Sequence, residues 1–122
     1  MAEETKIFTL EELIGDVDGK EYRAIPYGKG QVMIGSLSSA DMLTWLESND
    51  DPATRRTAGL RLIARSIVDP TTHAHVPETD YEAVVEKFRK KDARQNGKLV
   101  EAILALNGLD RVRTTVDAAK ND

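Results

Sequence analysis

The residues with the most direct capacity for chemistry are His73 and His75, the only two histidines, separated by Ala74 and near Asp69 and Asp80 in sequence. Side chains two apart on extended backbone project to the same side, so the pair offers two imidazoles as half of a metal site. Protein zinc sites use three or four donors held by supporting hydrogen bonds, and a histidine-bearing loop accounts for the same residues without a metal. A small metal-dependent hydrolase built here would also need a hydroxyl nucleophile beside an oriented base. No serine lies close to the histidines in sequence, and Ser66 would have to be brought in by the fold. No catalytic, cofactor-binding or metal-ligating residue is therefore assigned.

Other constellations reduce to local structure. The acid pairs Glu11-Glu12 and Asp50-Asp51 stand where helix starts favour negative charge. Tyr27-Gly28-Lys29-Gly30-Gln31 is glycine-rich, but it lies between two strand-like runs rather than between a strand and a helix, which suits a hairpin turn and not a phosphate cradle. The basic run Lys87-Phe88-Arg89-Lys90-Lys91 with Arg94 falls near a helix C-terminus, where cations complement the helix dipole. The six aromatic residues do not interleave with basic ones as base-stacking platforms do. What remains is an apolar set, Tyr27, Met33, Met42 and Trp45, which could form an adaptable patch for a protein partner or be spent in the core.

The elements that must position these residues follow from periodicity and punctuation. Thr9 and Glu12 have the spacing of a capping box for a short helix over Leu10–Ile14, stopped by Gly15, with a turn through Lys20. Tyr22–Pro26 and Gln31–Gly35 read as hairpin strands joined by Tyr27–Gly30, and Pro26 belongs at a strand end or edge. Ser38 or Ser39 caps a helix through Glu47, with Met42, Leu43 and Leu46 on one face and Trp45 bordering it. Leu60, Ile63, Ala64 and Ile67 give the buried stripe of a core helix expected over Pro52–Val68, and its arginines are expected on a solvated face or in ion pairs. Asp69 to Glu78 reads as a loop. A helix capped at Thr79 or Asp80 carries Tyr81, Val84, Val85 and Phe88, and a last one starts at Asp92 and closes at Asn107-Gly108.

These elements predict an α+β fold, predominantly α-helical, in which an N-terminal β-hairpin packs on a bundle of about four helices. One domain is expected over residues 1–109, with the hairpin at 20–36 and helices at 38–109, followed by a flexible tail at 110–122. At 122 residues the chain has the size of one domain and needs no disulfide, consistent with its zero cysteines, which exclude thiol catalysis and iron–sulfur chemistry. Seventeen basic against 21 acidic residues give a net charge of −4, which disfavours nucleic acid and anionic membranes as partners. Met1-Ala2-Glu3-Glu4 lacks the basic start of a signal peptide, and no apolar run approaches the ~20 residues of a membrane span, so the expectation is a soluble cytoplasmic protein.

The order of parts, Tyr22–Ile25 with Val32–Ile34, a helix, Leu62-Ile63-Ala64-Arg65-Ser66-Ile67-Val68-Asp69, an acid-capped helix and Leu106-Asn107-Gly108-Leu109, resembles the tail assembly chaperones of long-tailed bacteriophages and prophages over roughly residues 20–109. The resemblance implies a non-enzymatic helper in the host cytoplasm that binds and solubilises the hydrophobic, helical tape measure protein and is displaced as tail tube protein polymerises. It also implies a possible longer, frameshifted form of the same chain as a further partner, and it brings no catalytic residues or cofactor. On that reading Tyr27, Met33, Met42 and Trp45 are expected to contribute to the client surface. A virion structural protein, such as a head–tail connector or tail completion protein, fits the same size and charge and would form a stable ring. The small metal-dependent hydrolase predicts stoichiometric zinc.

Overall fold

A computed structural model describes residues 7–14 and 20–109. Most of the turn expected over residues 15–20, and the whole tail expected over 110–122, lie outside the described residues. Helix α1 (Leu10–Ile14) starts in the expected capping box: the Glu12 N–H donates to Thr9 Oγ1 at 3.2 Å, and the Thr9 N–H donates to Glu12 Oε1 at 3.2 Å.

Strands β1 (Tyr22–Tyr27) and β2 (Gly30–Gly35) pair antiparallel, with Tyr27 opposite Gly30, so each is one residue longer at the loop end than the sequence indicated. Gly28 has φ +56° and takes the first central position of the two-residue loop, where a hairpin that matches strand twist needs a positive φ. Because Tyr27 and Gly30 close the loop, alternate residues turn their backbone groups outwards. On β1 these include Pro26, which therefore sits on an edge that needs no N–H. On β2 they include Met33 and Gly35, and both carbonyls find partners in a segment the sequence had assigned to helix.

The core helix is α3 (Arg55–Ser66), shorter at both ends than the expected Pro52–Val68. Its start is displaced because Thr54 and Arg55 satisfy the open carbonyls of α2 (Ser39–Asp50): Thr54 Oγ1 donates to Ser48 O at 2.7 Å, and Arg55 Nε donates to Asn49 O at 2.9 Å. Its end is displaced because Ile67 and Val68 leave the helix as extended chain and pair with the hairpin. Val68 N–H donates to Met33 O at 3.0 Å, Ile67 pairs with Ile34, and Ser66 Oγ donates to Gly35 O at 2.9 Å. Val68 then pairs with His75, adding one more extended position beyond it. Gly35 has no side chain because Tyr22 lies across it: a Cβ there would stand 3.1 Å from the Tyr22 ring.

A 3-10 turn (Glu78–Asp80) leads into α4 (Tyr81–Arg89), and α5 (Ala93–Leu106) begins at Asp92, whose carboxylate accepts the Gln95 N–H at 3.0 Å. Gly108, with φ +76°, follows its last turn. Asn107 ties that end to the rest of the fold, since its Oδ1 accepts the Leu37 N–H at 2.8 Å and its Nδ2 donates to Ile103 O at 2.8 Å. The protein is thus α+β and predominantly helical, a hairpin packed on helices α2 to α5. Helix α3 contacts α2, α4 and α5, and the buried cluster joins Ile34, Trp45, Ala58, Leu62, Ile63, Leu99 and Ile103 from β2, α2, α3 and α5.

The expected arginine roles are partly met. Arg61 pairs with Glu82 at 3.3 Å, and Arg65 lies over the Tyr81 ring at 5.9 Å. The buried Ser66 hydroxyl is the more consequential polar contact. Ser66→Ala leaves the Gly35 carbonyl without this donor and should lower unfolding stability by ~1–3 kcal/mol; a denaturant titration with an unchanged midpoint would contradict this role.

Candidate interaction surfaces

Trp45 is not at a surface. It is 8% exposed and belongs to the central cluster, which corrects its expected place at the client surface. Apolar residues 42, 43, 45 and 46 span roughly 160° of the helix circumference at 100° per residue, wider than one packing face requires. The fold resolves the ambiguity by turning Trp45 and Met42 inward, where the indole buries the most area. The expected common face of Met42, Leu43 and Leu46 is therefore split: Leu43 is 59% and Leu46 45% exposed, one helical turn apart on the outer side of α2. Met42 is half-buried against the core.

Tyr27 also serves the body. Its hydroxyl donates to Asn96 Oδ1 at 2.6 Å, its ring meets Phe88 edge-on at 5.9 Å, and Asn96 Nδ2 donates to Phe88 O at 2.8 Å. Burial, helped by the negative charge of Asp92, pushes the Tyr27 phenol above its ordinary pKa, so it stays a neutral donor. Met33, the fourth residue of the expected set, lines an open groove of about 450 Å³ whose walls are residues 31–33, 67–70, 74–76 and Phe88. The four residues thus do not form one patch. Among the described residues, the α2 outer face and this groove are separate apolar surfaces, distinct again from the exposed apolar side chains of α1.

The groove follows from the third extended segment, since Val68 and His75 pair beside β2 and raise its far wall. That same wall holds the two histidines, which face different neighbours. His73 has φ +61°, which breaks the extended backbone on which parallel projection was expected, and its ring stacks on Tyr22 with centroids 3.8 Å apart. His75 Nδ1 lies 3.2 Å from Arg65 O. A carbonyl only accepts, so in the neutral ring the proton sits on Nδ1, and Nε2 is a buried acceptor with no partner among the described residues. Among the described residues no three of His, Cys, Asp and Glu come together as metal ligands. Ser66, the nucleophile considered for a hydrolase, is fully buried and bonded to Gly35.

Sequence reasoning missed the organiser of this loop, Asp69. Its Oδ1 accepts the N–H groups of Thr71 at 2.8 Å and Thr72 at 2.9 Å, while its own N–H donates to Ala74 O at 3.0 Å. Asp followed two residues on by Thr is the usual signal of an Asx turn. No helix among the described residues is long and apolar enough to cross a membrane. Compared with protein-family models, curated proteins and solved structures, the chain matches none.

The Thr72 and Thr71 amides hold the Asp69 carboxyl below the usual carboxylate range. A folded pKa below the unfolded one gives stability that is fully present above the unfolded value and is lost as pH falls through the folded value. Urea midpoints of the wild type and Asp69→Ala should therefore differ at neutral pH and converge in acid below the ordinary carboxylate range; a gap constant with pH would contradict the turn's charge dependence.

Proposed function

We propose that this chain is a phage tail assembly chaperone that binds and solubilises the tape measure protein in the host cytoplasm during tail morphogenesis. The resemblance over residues 20–109 suggests the class, and the observation that carries the reading is the pair of leucines displayed on the outer side of α2. Leu43 and Leu46, more than half and nearly half exposed, sit among polar neighbours on a helix already anchored from behind by Trp45. Their one-turn spacing suits the apolar stripe of an amphipathic client helix.

Fully burying an exposed leucine is worth ~1.5–3 kcal/mol, and with about half of each side chain already covered the pair together gives about that much, a contact that shields a client and still lets go when polymerising subunits compete for it. No bond-making side chain is required. The client surface is thereby moved from Trp45 to its outward neighbours, with Met42 supporting from within.

Leu43→Glu with Leu46→Glu should abolish solubilisation of co-expressed tape measure protein while costing about 1 kcal/mol of stability per site, because each side chain is only partly covered. Trp45→Ala is a poor probe, since emptying that core position costs ~3–5 kcal/mol by itself. Full solubilisation by the folded double variant would remove this assignment.

A further inference from the structure

Charge is distributed unevenly along the chain. Residues 1–18 carry six acids against one lysine, while residues 20–109 carry thirteen bases against twelve acids. The acidic excess of the protein is therefore that of its N-terminal arm. The described part of the arm is also strongly apolar, and four of its apolar side chains are exposed: Ile7 is 91%, Leu10 80%, Leu13 53% and Ile14 87% exposed. Leu10, Leu13 and Ile14 stand at i, i+3 and i+4, one face of a helix. A five-residue helix is far below the ~12–15 residues at which isolated helices become even marginal in water. The Thr9–Glu12 box, bonded in both directions, holds the turn that presents this face.

The groove beside β2 is the complementary surface. Its floor and walls are Val32, Met33, Ile67, Val68, Val76 and Phe88, and its volume of about 450 Å³ is that of a site for a few side chains. A cation stands at its Phe88 end, where Lys91 Nζ lies 5.9 Å from the Phe88 ring. Arg89 and Lys90 are engaged with Glu86 at 2.7 Å and 4.0 Å, whereas Lys87 and Lys91 have no acidic partner among the described residues. The acid that lines the groove, Asp69, directs its carboxylate to the Thr71 and Thr72 amides.

We propose that the acidic, apolar N-terminal arm of one copy docks in the groove of a second copy, with Leu10, Leu13 and Ile14 on the apolar wall and the arm's acids facing Lys91. The exchange is reciprocal, so two arms fill two grooves about a two-fold axis. It uses a surface different from the α2 face assigned to the client, and it stands whether or not that assignment does.

The full chain tests this by sedimentation velocity over a concentration series. The wild type should dimerise, and added salt should weaken the dimer because the charged rim is exposed. Leu13→Asp in the arm and Ala74→Glu at the exposed rim of the groove should each raise the dimer dissociation constant by at least about tenfold, one such factor being about 1.4 kcal/mol. Circular dichroism should show both variants folded. Mixing them should restore partial dimerisation, because the intact arm of Ala74→Glu meets the intact groove of Leu13→Asp. A wild type that stays monomeric at all concentrations overturns the proposal, including the case of an arm folding onto its own groove. A dimer indifferent to both substitutions, or a mixture that stays monomeric, overturns it as well.

Discussion

Two strands alone do not hold together in water, and the molecule depends on how the inner edge of its hairpin is closed. Closure comes from the residues that end the core helix. Ser66 sends its hydroxyl to Gly35 O, and Ile67 and Val68 run on as a third extended segment whose amide reaches Met33 O. This joint brings Ile34 into contact with α3 and α5 in a fully buried cluster, and it removes from solvent an edge that could otherwise pair with another chain. The groove wall and the Asp69 turn both hang from it, because Val68 continues into the Asp69–Ala74 loop and pairs with His75.

Much of this was legible in the residues. Gly28 in the hairpin loop, the Ser38 and Asp92 caps, the Thr9–Glu12 box and the Asn107-Gly108 stop each correspond to an observed bond or dihedral, since these signals act over four residues or fewer. The misreadings arose where two periodicities coincide. Ile67 continues the three-four stripe of Ile63 and Ala64, yet it is also β-branched and well suited to a strand, and only the waiting carbonyls of β2 decide between them. Trp45 and Leu43 likewise both fit the inner side of α2, and the larger ring takes it. The stacking of His73 on Tyr22 spans fifty-one positions and a positive φ, neither of which spacing in the sequence discloses.

Polar groups inside the body fix its parts to one another. Tyr27, Asn96 and the Phe88 carbonyl form one bonded chain between hairpin, α5 and α4, and Asn107 does the same between α5 and the approach to α2. A body pinned in this way can leave leucines on its outside without collapsing around them, which is the physical requirement of the proposed chaperone: apolar surface that is available, fixed in place and small enough to release.

Hydrogen exchange of the full chain, with and without the proposed tape measure client, tests the account most directly. In the free protein the Val68 amide should exchange as slowly as the α3 and α5 core, and adding client should slow residues 40–50 while leaving Val68 unchanged. Rapid exchange at Val68, or client protection that bypasses α2, would contradict it.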